Sequence, residues 1–243
     1  MRNSIRAVLI FFAVFTTCNL TAQVHNRSKS LTVVRLKTDI ADPKDIPLFF
    51  NKAAITYQAI DQVNWTTYPY KPHVSFAIAY TDKALLIHYL VEEKHVRAVT
   101  NHDNGKVFQD ACVEFFVQPQ ASDLTYYNFE FNCIGKLLMQ AGKPGKRALA
   151  KEPILNSIKR WSSLGSDPIN IQNQTTSWQL AVIIPLTAFY LNPMDSFANQ
   201  KFKGNFYKCG DKLEQPHYLS WSPIHLPHPQ FHAIDFFGNI NFQ

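Results

Sequence analysis

The stretch from Leu124 to Cys133 sets two chemically different rows of side chains in alternation. Tyr127, Phe129, Phe131 and Cys133 occupy the odd positions, and Tyr126, Asn128, Glu130 and Asn132 the even ones. Successive side chains of a strand point to opposite faces, so each row shares a face. The even row combines amides, a carboxylate and an aromatic ring, and Glu114 on the preceding strand joins it in a suitable register. Amides and carboxylates meet pairs of hydroxyls, and an aromatic ring stacks on a C–H face, so this surface suits a polyhydroxylated ligand. The same row also reads as the solvated exterior of a sheet with cross-strand polar pairs. Glu114 and Glu130 offer a second chemistry: two carboxylates flanking a glycosidic bond are the acid and nucleophile of a glycoside hydrolase.

Other constellations say less. The chain has no G-x-S-x-G elbow, no P-loop, no G-x-G-x-x-G and no H-E-x-x-H. His217, His225, His228 and His232 crowd into one segment with Asp235, the residue types of a metal site. Their spacing is irregular and broken by prolines, which equally suits loop histidines bonded to backbone. No metal-ligand set is assigned. Trp178 alternates with aliphatic residues and reads as core; Trp65, Trp161 and Trp221 fit either core or ligand platform.

The elements that must position these residues are strands. Val74, Phe76, Ile78 and Tyr80 alternate with smaller residues, Thr81-Asp82-Lys83 turns, and Leu85, Ile87 and Tyr89 begin a second strand. Further strands are expected at Ala111–Val117, Lys136–Gln140, around Trp178–Ile184, at Asn205–Cys209 and at Phe236–Phe242. The stretch Ala148–Ser163 is ambiguous: Ile154, Ile158 and Trp161 have helical spacing, and Pro153 opposes it. Long helical periodicity is absent, and the 14 prolines fall mostly between strands. The fold expected is all-β, a two-sheet antiparallel sandwich.

Arg2 and Arg6, an apolar run from Ala7 to Phe15 and a small residue at Ala22 form the pattern of a secretory leader over residues 1–22. The run is shorter than the roughly 20 residues of a membrane-spanning helix. Lipid attachment at Cys18 is the second option. The chain is thus expected to be exported, to the periplasm, the outer-membrane surface or the medium. Residues 23–243 form one expected domain of about 220 residues, monomeric and without a membrane span. The leader carries two of the positive charges and no acid, so the net +6 falls to +4. That mild charge, with no basic stripe interleaved with aromatics, argues against nucleic acid as a partner. Cys112, Cys133 and Cys209 remain after the leader, an odd number without a C-x-x-C pair. They read as buried thiols.

Several phrases together carry a resemblance. They are Val107-Phe108-Gln109-Asp110-Ala111-Cys112-Val113-Glu114-Phe115-Phe116, then Tyr126 through Gly135, Asn205-Phe206-Tyr207-Lys208-Cys209-Gly210-Asp211, Pro216-His217-Tyr218-Leu219-Ser220-Trp221, Pro229-Gln230-Phe231-His232 and Phe236-Phe237-Gly238. In order and spacing this resembles the carbohydrate-binding family 9-like proteins (CBM9-like) exported by Bacteroidetes-type bacteria. The resemblance implies a CBM9/DOMON-like sandwich of jelly-roll or immunoglobulin-like topology that binds oligo- or polysaccharide without cutting it, in polysaccharide degradation or uptake. It places the hydroxyl-binding acid on Glu114 and the two stacking rings on Phe108, where the family has tryptophan, and Trp221. Asn205 would bond hydroxyls and Lys208 would support it; Glu130 and Asn132 are companion candidates. No cofactor is required by the resemblance, and it implies structural calcium without identifying ligands here. A glycoside hydrolase and a structural surface accessory protein are the rival expectations.

Overall fold

The computed structural model describes residues 28–243; the leader of residues 1–22 and Cys18 lie outside them. In chain order the strands are β1 (Ser30–Arg35), β2 (Gln58–Ala59), β3 (Gln62–Val63), β4 (His73–Tyr80), β5 (Ala84–Glu93), β6 (Val96–Ala98), β7 (Cys112–Gln118), β8 (Tyr126–Asn132), β9 (Leu137–Lys143), β10 (Lys146–Leu149), β11 (Lys159–Ser162), β12 (Ile169–Ile171), β13 (Thr176–Pro185), β14 (Lys201–Cys209), β15 (Tyr218–Ser220) and β16 (Gly238–Phe242). Two short helices, α1 (Ile46–Lys52) and α2 (Glu152–Ser157), interrupt them. No described helix is long and apolar enough to cross a membrane.

The strands build two layers. The first runs β10-β9-β8-β7-β14-β16, the second β4-β5-β13-β11. Neighbours within each are antiparallel, as expected. The exception is β1, which joins the layers: Ser30–Val33 pair in parallel with β16, and Val34–Arg35 pair in parallel with β4. A strand that switches sheets in this way makes a corner of the sandwich. The predicted hairpin is β4–β5, in register from His73↔Glu92 to Tyr80↔Leu85, and β5 continues onto β13 over ten residue pairs. The ambiguous 148–163 stretch resolves into the end of β10, then α2, then β11. Pro153 sits in the first turn of α2, where its missing N–H has no intrahelical partner to lose.

Alternation places the core. Val113, Phe115, Phe129, Phe131 and Phe206 of the first layer face Phe76, Ile87, Tyr89, Leu180 and Val182 of the second. Phe76 stacks on Phe206 across the gap, with ring centroids 3.5 Å apart. Trp221 meets both rings edge-on, at 6.0 and 6.1 Å. Its indole lies so close over Gly238 that a Cβ there would meet Cζ3 at 2.5 Å, so only glycine fits beneath it.

Neither layer has the solvated outer face that a two-layer sandwich usually shows. On the second layer, Ala77, Ala79, Leu86, Ala181 and Ile183 are covered by Ile46 and Phe50 of the α1 segment. On the first, Phe116, Tyr126 and Tyr207 are covered by Trp65 and by the C-terminal segment through Ile224, Phe231 and Phe237. That second cover creates the enclosed space described next.

Candidate functional site

Glu130 of the even row of β8, with Glu114 and Phe116 of β7, forms the floor of a cavity of about 310 Å³. Register aligns Tyr207 with Glu114, Glu114 with Glu130 and Glu130 with Leu138 across β14, β7, β8 and β9. The two carboxylates are therefore side-by-side neighbours on one face, 2 % and 4 % exposed. Cys209 of β14 and Leu138 and Gln140 of β9 extend the floor. The returning C-terminal segment brings Pro229, Gln230, Phe231 and His232, and the ends of two other loops bring Phe108, Asp211 and Tyr218. Phe108, Tyr218 and Phe231 are only partly buried, so the rim offers aromatic surface.

Each wall is held from behind. Phe231 stacks on Tyr207 at 4.1 Å and 8°, and its carbonyl accepts from Tyr207 Oη at 3.1 Å. Trp65 Nε1 donates to the Leu226 carbonyl at 2.7 Å, which pins the covering segment. His232 lies against Phe116 at 4.8 Å. Burial and the nearby Arg147 push the His232 pKa down to about 3, so the ring is neutral. Arg147 approaches its Nε2 at 3.3 Å, which leaves the Nδ1–H to donate to Tyr126 Oη at 3.1 Å. Arg147 also donates to Asn128 Oδ1 at 2.6 Å, and Asn128 Nδ2 donates to Glu130 Oε1 at 2.9 Å.

The floor acids hold their protons unusually tightly. Burial raises Glu130 to about 7, against the bond from Asn128 and the charge of Arg147. Glu114 is raised well above the usual carboxylate range, first by burial and then by Cys209 and Glu130 beside it. Burial raises Asp211 to about 6. These are hydrogen-bonding groups held out of water, with part of their capacity unused by the protein.

The predicted site residues divide sharply. Glu114, Glu130 and Phe108 come together at the cavity. Trp221 does not: at 1 % exposure it is a core ring between the layers. Asn205 is also buried, because its amide pairs with the backbone of Ser222, accepting from the N–H at 2.8 Å and donating to the carbonyl at 2.9 Å. Lys208 points to the opposite side of β14. Its ammonium is 2.9 Å from Glu93 Oε2 between the layers and is fully buried. Asn132 shares the row but spends its amide on Asp110 Oδ2, the Thr100 carbonyl and the Lys136 N–H. The polar row is thus buried and not an exterior face, and Glu130 alone of it lines the cavity.

The histidine cluster does not assemble. His217 is bonded to Lys208 in the interior at 2.9 Å, while His232 lines the cavity. The closest group of potential metal donors among the described residues is Cys112, Glu114 and Cys209. Calcium takes six to eight oxygen ligands, so this sulfur-containing set does not fit it. Tyr218, Phe231, Gln140 and Asp211 are not picked out by their chemistry in the sequence, and His232 is picked out there only as a member of the histidine cluster. Tyr218, Phe231 and His232 do stand in the Pro216–Trp221 and Pro229–His232 phrases, and that was the available signal.

A concave floor of acids and amides under an aromatic rim, on a β-sandwich, defines a sugar-site type of module. The profile of carbohydrate-binding family 9 matches residues 44–242, and the chain belongs to this family. It is similar to the crystal structure of a Bacteroides uniformis protein described as carbohydrate-binding: 47 % identity, TM-score 0.86, 88 % of this chain and 99 % of that one. Two structures of a family 9 module from Caldicellulosiruptor kristjanssonii share the fold. The complex with cellotriose gives 12 % identity and TM-score 0.57 over 88 % of this chain and 94 % of that one. The complex with glucose gives 13 % and 0.54 over 88 % and 96 %. No curated protein matches the chain significantly.

Proposed function

We propose that the cavity above Glu114 and Glu130 binds one sugar ring at the end of an oligo- or polysaccharide and leaves it uncut. The observation that carries this reading is the pairing of two buried, directly opposed carboxylates with a partly exposed rim of Phe108, Tyr218 and Phe231. A volume of about 310 Å³ lies at the small end of ligand pockets, which suits one ring better than a chain lying in a groove. The carboxyls and the Gln140 and Gln230 amides face hydroxyls; the rim rings face C–H surfaces.

The arrangement of the acids supports binding over hydrolysis. Hydrolase carboxylates flank the scissile bond from two sides. Glu114 and Glu130 stand next to each other beneath the cavity, and burial outweighs the charge of Arg147 at Glu130, so neither is held ionised as a nucleophile. The cellotriose and glucose held by the Caldicellulosiruptor module make glucose and short β-glucans the first ligands to try. The wider setting we propose is an exported monomer acting in polysaccharide degradation or uptake, consistent with the leader pattern of residues 1–22.

A glycan array on residues 23–243, followed by calorimetry, tests the reading. Saturable binding to one sugar class is expected, lost or strongly weakened in Glu114→Gln and Phe231→Ala, with no product released on long incubation. A folded protein that binds no glycan would overturn it, and sugar release abolished by Glu114→Gln would replace it with hydrolysis.

A further inference from the structure

Cys112 and Cys209 stand directly opposite each other on β7 and β14, and both thiols turn toward one oxygen. Cys209 Sγ lies 3.0 Å and Cys112 Sγ 3.9 Å from Glu114 Oε1. All three donor atoms fall within 4.8 Å of one another, and all three residues are buried. Around a tetrahedral zinc ion, with Zn–S near 2.3 Å and Zn–O near 2.1 Å, sulfur and oxygen ligands sit roughly 3.5 Å apart. The two observed spacings bracket that value. Cys209 and Glu114 border the cavity, so a fourth ligand position opens into it.

The charge balance points the same way. Glu130 and Asp211 add further buried or half-buried acids around this group. None of the described ion pairs joins a lysine or arginine to Glu114, Glu130 or Asp211. Arg147 is engaged with Asn128 and His232, and Lys208 points to the other side of the sheet. Arg147 is the nearby cation, and it is bonded to neutral groups, so no cation is paired directly with these acids.

We propose that Cys112, Cys209 and Glu114 bind a thiophilic divalent cation, zinc in the first instance, with its fourth position facing the cavity. Two sulfurs and one carboxylate select such an ion over calcium or magnesium, which take oxygen. The site stands independently of the sugar reading, although both use Glu114.

Cobalt is the spectroscopic probe. Metal-free, fully reduced protein is titrated with Co²⁺ and watched for the thiolate-to-cobalt charge-transfer absorption in the near ultraviolet. One Co²⁺ per chain is expected, displaced by Zn²⁺. The absorption should vanish in Cys112→Ser and in Cys209→Ser. It should persist in Cys133→Ser, whose sulfur lies in the core between the layers. Should the first two variants fail to fold, Glu114→Gln keeps both thiols and should weaken Co²⁺ at least ten-fold. Three outcomes overturn the proposal: no charge-transfer absorption from folded, reduced protein; absorption that survives Glu114→Gln and either cysteine variant unchanged; or a thiol titration of untreated protein of residues 23–243 that finds one free thiol in place of the three cysteines there, which would make Cys112–Cys209 a disulfide.

Discussion

Two groups of buried acids lie on opposite sides of the first layer, and they are solved differently. Between the layers, Glu93 accepts from Trp178 Nε1 at 2.8 Å on one oxygen and faces Lys208 Nζ at 2.9 Å on the other. Lys208 spends its remaining donors on the Cys209 carbonyl and on His217 Nε2, both at 2.9 Å. Burial and Lys208 hold the His217 pKa well below its ordinary value, so a neutral imidazole accepts that bond. On the outer side, Glu114 and Glu130 sit next to each other with an amide and two thiols as their bonded neighbours. Strand alternation alone separates the two groups: Lys208 points inward and Cys209, the next residue, points outward. The inner group balances its charge within the protein, with Glu93 Oε2 held by the charge of Lys208 and by no aligned hydrogen bond, and is therefore structural. The outer group retains hydrogen-bonding capacity, and that is what a ligand site requires.

The largest effect should come from breaking the inner group. Lys208→Met leaves Glu93 buried without its cation, a loss of about 3–5 kcal/mol for a pair of this kind. Urea unfolding reads it directly. Pairing it with Glu93→Leu should restore much of the loss, since a buried ion pair replaced by apolar residues is often near neutral. An undiminished midpoint in Lys208→Met would erase the contrast between the two groups. Trp221→Ala belongs with this test. Truncating a core tryptophan costs about 3–5 kcal/mol, so any fall in sugar binding should follow unfolding and not a missing platform.

The outer group should reveal itself through pH. Glu130, at about 7, and Asp211, at about 6, hold protons more tightly folded than unfolded. Their contribution is full below about pH 4, near the ordinary carboxylate range, and is lost as pH rises through 6 and 7. His232, pushed down to about 3, works oppositely: its folded form stays neutral, so stability rises with pH up to the ordinary histidine value near 6.5. The informative quantity is therefore the difference between wild type and Glu130→Gln. Between pH 5 and 8 the variant should gain on wild type by on the order of a few kcal/mol. Parallel curves for the two proteins would show that Glu130 meets water more freely than its burial implies.

How these groups divide was only partly legible in the chain. Alternation in 73–89, 112–133 and 178–184 was enough to place strands, and their inner rows form the core. It puts Glu114 and Glu130 on one face only in a suitable register, which the pairing of β7 with β8 supplies. Alternation says nothing about what covers a face, so the 221–237 segment shows its histidines and its motif phrases in the sequence but not that Phe231 and His232 close a cavity. The same limit misplaced Trp221, Asn205 and Lys208. Each is chemically apt for a sugar, but Trp221 is held over Gly238, Asn205 by Ser222 and Lys208 by Glu93. Those partners are 17 residues or more away along the chain, beyond the reach of local pattern.

Smaller effects should separate the parts of the outer group by affinity. Glu114→Gln keeps size and replaces a carboxyl that burial keeps protonated with an amide, and leaving a buried partner unsatisfied costs about 1–3 kcal/mol, or roughly five- to a hundred-fold in Kd. Its urea midpoint should stay near wild type, unlike that of Lys208→Met. Equal damage to stability and affinity would mean that Glu114 is as structural as Glu93.

The smallest and most discriminating change is Phe108→Trp. Phe108 is a partly buried rim ring, and a tryptophan there presents a larger face to a sugar. Stacking contributions of about 0.5–1.5 kcal/mol per aromatic pair limit the gain to a few-fold in Kd. Calorimetry on the sugar selected by the array should show that modest tightening, with Phe108→Ala weaker by a similar factor. Weaker binding in both variants would indicate that Phe108 sets the width of a cavity of about 310 Å³. In that case the stacking surface would pass to Tyr218 and Phe231, and Phe231→Ala would carry the larger loss.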